Sequence, residues 1–185
     1  ARQRNDVALA GLSVVLAARC HRGLGSYTSA VQLIRAGQTW FSQLPQVGER
    51  MVQQLEEMAA DCENDALIAQ QLEAISASVN ELLGNGQFAD AADVCALQLR
   101  RKVAALGSDH WLCAALITLR ADCLLGQVHL ARATADSSVD QAALLDEARE
   151  SLDTAAKAIE IQGHDAYWVK GTFGSQVRDR LNELD

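Results

Sequence analysis

The block Gly86-Gln87-Phe88-Ala89-Asp90-Ala91 recurs earlier in the chain as Gly25-Ser26-Tyr27-Thr28-Ser29-Ala30. One pattern, Gly-x-aromatic-x-x-Ala, thus stands twice between long apolar-periodic runs. The glycine takes the left-handed backbone without a Cβ penalty and so closes a helix. The aromatic opens the next helix, and the alanine three residues on lets that helix lie close against its predecessor. Repetition of a helix-turn unit restricts the fold before anything else does. Composition agrees: only one of the 185 residues is Pro and 4% are aromatic, while 49% are hydrophobic. That favours helix over sheet, and it suffices for a single domain over residues 1–185 with a sizeable core.

Apolar periodicity predicts about eight helices. The first runs over about 5–22, with Leu9, Leu12, Leu16 and Cys20 on one apolar stripe. The second runs over 27–44 and ends at Pro45, which lacks a backbone donor. A third over 47–62 and a fourth over 66–83 are separated by Asn64-Asp65, which reads as a helix cap. The fifth covers 88–106. Gly107 then closes it, and Ser108 or Asp109 caps a sixth from Trp111 to about Ala135. Gly126 imitates the repeat motif, but a turn there would leave a helix of only about eight residues. One long helix is therefore expected. A seventh helix returns over 140–161. Gln162-Gly163-His164-Asp165 repeats the stop-start signal, and an eighth helix follows over 165–184, with Trp168, Val169, Phe173, Val177, Leu181 and Leu184 inward.

The net charge of −8 makes nucleic acid a poor partner, since such binding needs clustered Lys and Arg. Cys20, Cys62, Cys95, Cys113 and Cys123 are odd in number and irregular in spacing, which speaks against a disulfide framework. They read as small buried hydrophobes in a reducing cytoplasm. The apolar run Val7–Ala18 is too short to span a bilayer, and Asp6 before it and Arg19 after it do not suit a secretory signal. No membrane association is expected. The chain starts without Met, and it is expected to be a segment of a longer protein.

Candidate chemistry is sparse. Gly84-Asn85-Gly86-Gln87-Phe88-Ala89 matches a dinucleotide fingerprint, but that fingerprint follows a strand and Leu72–Leu83 has helical period. His110, Cys113, Cys123 and His129 lack the tight pairing of zinc sites, and they read as buried thiols and a capping histidine. Glu56, Glu57, Asp61, Glu63 and Asp65 read as a solvated helix face. Arg100-Arg101-Lys102 opposes a helix dipole at its C-terminus. No catalytic residue, cofactor or metal is expected.

The block around Phe88-Ala89-Asp90-Ala91, followed by Leu106-Gly107-Ser108-Asp109-His110, resembles the tetratricopeptide repeats of kinesin light chains and of bacterial signalling proteins. In that family a Tyr-x-x-Ala helix is followed, sixteen residues after its alanine, by Leu-Gly-x-Asp-His-Pro. Ala91 and Gly107 have the same spacing here, and Trp111 stands in place of the Pro. The resemblance is good over Leu72–Leu125 and weaker elsewhere. It implies an irregular, right-handed array of stacked antiparallel hairpins that binds a peptide or protein on a concave surface. The partner can equally be another domain of the parent chain. Arg19, Asn80 and Arg120 each stand six residues before a motif glycine. By the resemblance they form a polar ladder along that surface, with Arg22 and Ser76 nearby, suited to an acidic or C-terminal peptide. The resulting expectation is a non-catalytic, cytoplasmic protein-interaction or regulatory module. The alternative is a helical accessory domain that gates, or contacts the substrate of, a protease or kinase.

Overall fold

The computed structural model describes residues 2–44, 48–161 and 167–184. Among these the chain is all-α, with no strand. Its helices are α1 (Arg2–Gly23), α2 (Tyr27–Phe41), α3 (Gly48–Gly84), α4 (Phe88–Leu106), α5 (Trp111–Thr134), α6 (Gln141–Glu160) and α7 (Tyr167–Leu184).

The two copies of the motif build the same turn. Gly25 and Gly86 both sit at φ +74°. The Gly25 N–H donates to Arg22 O and the Ser26 N–H to His21 O; the Gly86 N–H donates to Leu83 O and the Gln87 N–H to Leu82 O. This is the paired-bond C-terminal cap that satisfies the last carbonyls of a helix. Ser26 and Gln87 then open α2 and α4 with almost equal backbone angles. Ala30 and Ala91 are fully buried on the helices so begun. The α5–α6 turn is closed by the same pair of bonds, from Ala135 to Arg132 O and from Asp136 to Ala131 O. Gly126 is no turn; it lies inside α5.

Two compact units divide the chain. One takes Ala1–Ala69 with Gly163–Trp168, and the other takes Gln70–Gln162 with Val169–Asp185. Helix α3 runs through both.

In the first unit, Val15 and Ala18 of α1 pack with Ala30, Ile34 and Phe41 of α2 and with Leu55, Ala59 and Cys62 of α3. The stripe Leu9, Leu12, Leu16 and Cys20 is the opposite face of α1, and all four are exposed. Helix α1 is apolar on both faces, and its smaller residues are the ones that fit the close approach of α2. The expected break at Asn64-Asp65 is absent, so the expected third and fourth helices are one. Asp65 instead accepts a 2.6 Å hydrogen bond from Arg22 Nε, while Asp61 lies 3.7 Å from Nη1. Seven helices, not eight, follow from that continuity.

In the second unit, α5 is the central helix and packs between α4 and α6. Trp111, Leu112, Leu116, Cys123 and Val128 of α5 are buried, with Leu152 and Ala155 of α6 and Val169 and Val177 of α7. Helix α5 is long and apolar enough to cross a membrane, but 67% of its apolar window is buried inside the fold. Its apolar circumference is that of a core helix. The stop-start signal Gln162-Gly163-His164-Asp165 and the inward placing of Trp168 lie outside the described residues. Phe173, Leu181 and Leu184 are half-buried.

Candidate functional site

The five residues expected to contact a partner fall in different units. Arg19 and Arg22 belong to the first; Ser76, Asn80 and Arg120 belong to the second. A single ladder is therefore a property of neither unit. Arg19 is exposed on α1. Arg22 is only 19% exposed and is held by Asp65 and Asp61. It ties α1 to α3. Ser76 and Asn80 lie one turn apart on α3, half-buried and exposed respectively.

Arg120 is the best-defined of the five. Its Nη2 donates to Glu147 Oε1 on α6. Its Nε is buried and has no hydrogen-bond partner. A cleft of about 250 Å³ opens beside it, lined by Leu99 of α4, Ile117 of α5, and Glu147, Glu150, Ser151 and Thr154 of α6. One arginine faces two glutamates there, so the cleft has no spare positive charge.

Two thiols on neighbouring helices form a pair that sequence reading missed. Cys95 of α4 and Cys123 of α5 are both fully buried, on helices that pack together, and each thiol shifts the other's ionisation. The Cys123 side chain holds the Cys95 thiol below its ordinary range; burial opposes this, and the Arg120 charge adds to it. Cys123 is pushed far above that range by the Cys95 side chain, by burial, and by repulsion from the Cys95 and Asp122 charges. The two cysteines stand on different helices, so no local spacing could reveal them.

The larger opening was also not foreseen, although the motif block forms its wall. A groove of about 710 Å³ runs over the start of α4 and the end of α5. Phe88, Ala89, Leu130, Ala131 and Val139 make its apolar part, and Leu130 is 44% exposed. Asp90 and Asp136 are the charged groups in its lining. Gln87 Nε2 donates to Asp90 Oδ2 at 3.0 Å. The Ser138 hydroxyl and N–H both donate to Asp136 Oδ1, which holds that carboxyl below its usual range. The Phe88 ring forms one wall by lying on the backbone of Gly126.

Two of the residues weighed for zinc have local partners. His110 caps α5, its Nδ1 accepting from the Leu112 N–H at 3.1 Å. This position was expected to be filled by Ser108 or Asp109. The Cys113 thiol donates to Gly107 O at 3.3 Å. The dinucleotide-like block at Gly84 joins α3 to α4.

No family model matches the chain, and no characterised protein or solved structure shows significant similarity to it. The tetratricopeptide resemblance rests on the motif residues themselves.

Proposed function

We propose that this chain is a non-catalytic, cytoplasmic protein-interaction module of tetratricopeptide-like hairpins. It takes a segment of a protein partner in the groove over Phe88. The observation that carries the reading is that groove: an open concavity with an apolar base and a few fixed polar groups, set on rigid helices. Its charged groups are carboxylates and the whole chain carries −8. A segment with apolar side chains for Leu130 and Val139 and with Lys or Arg for Asp90 and Asp136 complements it. The acidic ligand expected from the ladder is replaced by a basic one, because Arg22 and Arg120 are already paired within the fold. The partner is another protein or another domain of the parent chain.

Site-specific photo-crosslinking from Leu130 in the parent protein, with peptide mapping, tests the proposal. Crosslinks to one basic, amphipathic segment are expected, and they should be lost when Asp90 and Asp136 are both changed to Lys. Crosslinks that persist unchanged in the charge-reversed protein, or that map equally from exposed Glu63 on α3, would remove the groove as the binding surface.

A further inference from the structure

We propose that the exposed face of α1 pairs with the same face of a second copy of this chain, antiparallel, in a symmetric dimer. The face lies in the first unit and the groove over Phe88 in the second, so neither reading rests on the other. From Val7 to Ala18 no residue of α1 carries a charge. Val15 and Ala18 are used in the core with α2 and α3. The other side leaves Leu9 62% exposed and Leu12 and Leu16 52% each, at spacings that put them on one stripe. A helix face turned to water ordinarily carries polar side chains. A contiguous apolar stripe there marks a contact surface.

Two features favour a second copy as the occupant. The first is charge. Asp6 and Arg19, both exposed, stand at opposite ends of the stripe. Let two α1 helices run antiparallel about a point between Leu12 and Ser13. Leu9 of each copy then comes level with Leu16 of the other, and Asp6 with Arg19. Antiparallel pairing thus sets opposite charges at both ends, where parallel pairing sets like beside like. A face that complements itself in this way suits an isologous contact, in which every residue is used twice. The second feature is Ser13, the polar residue in the middle of the face. Its hydroxyl donates to Leu9 O at 2.9 Å, so covering it leaves no donor unpaired.

The area fits a weak dimer. The three leucines with Ala8, Ser13, Arg19 and Cys20 beside them, doubled by symmetry, cover about 1,000 Å², the lower limit for a specific interface. A dissociation constant in the micromolar range is expected.

Sedimentation equilibrium of the 185-residue chain tests the proposal. The mass should rise from 19.9 kDa toward twice that value across the micromolar range. Leu12→Glu sets two like charges near the symmetry axis and should weaken association at least roughly tenfold. The urea midpoint of the dilute monomer should not move, because Leu12 lies outside the core. Asp6→Arg should weaken association several-fold, and adding Arg19→Asp should restore it. Under mild oxidation Ser13→Cys should give a covalent dimer joined at position 13. The native Cys20 stands about 20 Å along the helix from its counterpart in this register and should not link. A chain that stays monomeric, a Leu12→Glu variant that associates as the unsubstituted chain does, or a dimer linked through Cys20 would overturn the proposal. So would a monomeric parent protein from a dimerising chain, since another segment of that protein then covers the face.

Discussion

The Phe88 ring packs against Gly126, so close that a Cβ built on Gly126 would meet Phe88 Cδ1 at 2.3 Å. Glycine inside a helix ordinarily costs about 0.5–1 kcal/mol relative to alanine, so Gly126→Ala would stabilise an unobstructed helix. Here overpacking against an aromatic ring, about 1–3 kcal/mol, is the larger effect. Gly126→Ala is expected to lower stability in urea denaturation, and adding Phe88→Leu should recover part of the loss. A more stable Gly126→Ala protein would mean that the ring does not rest there.

Ala135 closes the α5–α6 turn at φ +54°, ψ +35°. A left-handed residue with a Cβ costs about 1–2 kcal/mol, and a glycine there loses about 0.4–1 kcal/mol through the freedom of the unfolded chain. The balance predicts that Ala135→Gly stabilises the fold by about 0.5–1 kcal/mol. The thermal midpoint should rise, and a fall would contradict the turn geometry.

Much of this fold was legible because turn chemistry is local. Gly25, Gly86 and Gly107 each stop a helix where the sequence says so, and each has positive φ. Gly126 lies inside α5, and the space beside it is filled by Phe88, on another helix. Two misreadings share a cause. Asn64-Asp65 has the chemistry of a cap, but a cap residue can equally serve a tertiary partner, and Asp65 serves Arg22. Leu9, Leu12 and Leu16 form a good stripe, but α1 has a second apolar face of Val7, Val14, Val15 and Ala18, and the smaller residues won the interior. Periodicity ranks faces by hydrophobicity; packing selects them by fit. The thiol pair and the groove join residues far apart in sequence, which pattern reading along one helix does not reach.

The two arginines near the end of α1 should behave differently. Arg22 and Asp65 are 19% and 13% exposed and directly bonded, so Arg22→Ala leaves a half-buried carboxylate without its cation. A loss of about 1.5–3 kcal/mol is expected. Arg19 is exposed, and Arg19→Ala should change stability by less than about 0.5 kcal/mol. Parallel urea titrations of the two variants check both; equal losses would mean that the Arg22 pair is incidental.

The thiol pair carries a pH signature. Folding lowers the Cys95 value and raises that of Cys123. Below the ordinary thiol range, down to the folded Cys95 value, the folded chain binds fewer protons than the unfolded one, so stability rises with pH in that window. Above the ordinary range the folded chain keeps the Cys123 proton that the unfolded chain loses, and stability falls again. Ultraviolet thiolate absorbance of the native protein should show one cysteine ionising early. That step should vanish in Cys95→Ser and move upward in Cys123→Ala, where the donor is gone. An unchanged titration in Cys123→Ala would show that the two sulfurs do not interact.

The repeated turn bears also on how quickly the chain finds its structure. Helices α1 and α2, α4 and α5, and α5 and α6 pack as sequence neighbours joined by a few residues. Each hairpin closes only a short loop, and the search for its contacts is correspondingly small. Chains whose contacts are mainly of this kind fold in about microseconds to milliseconds, where sheet proteins of similar stability take far longer. Gly25 and Gly86 thus do more than end helices: by bringing each helix back on its neighbour within a few residues, they shorten the time a nascent, Leu- and Ala-rich chain spends with its apolar surface unprotected.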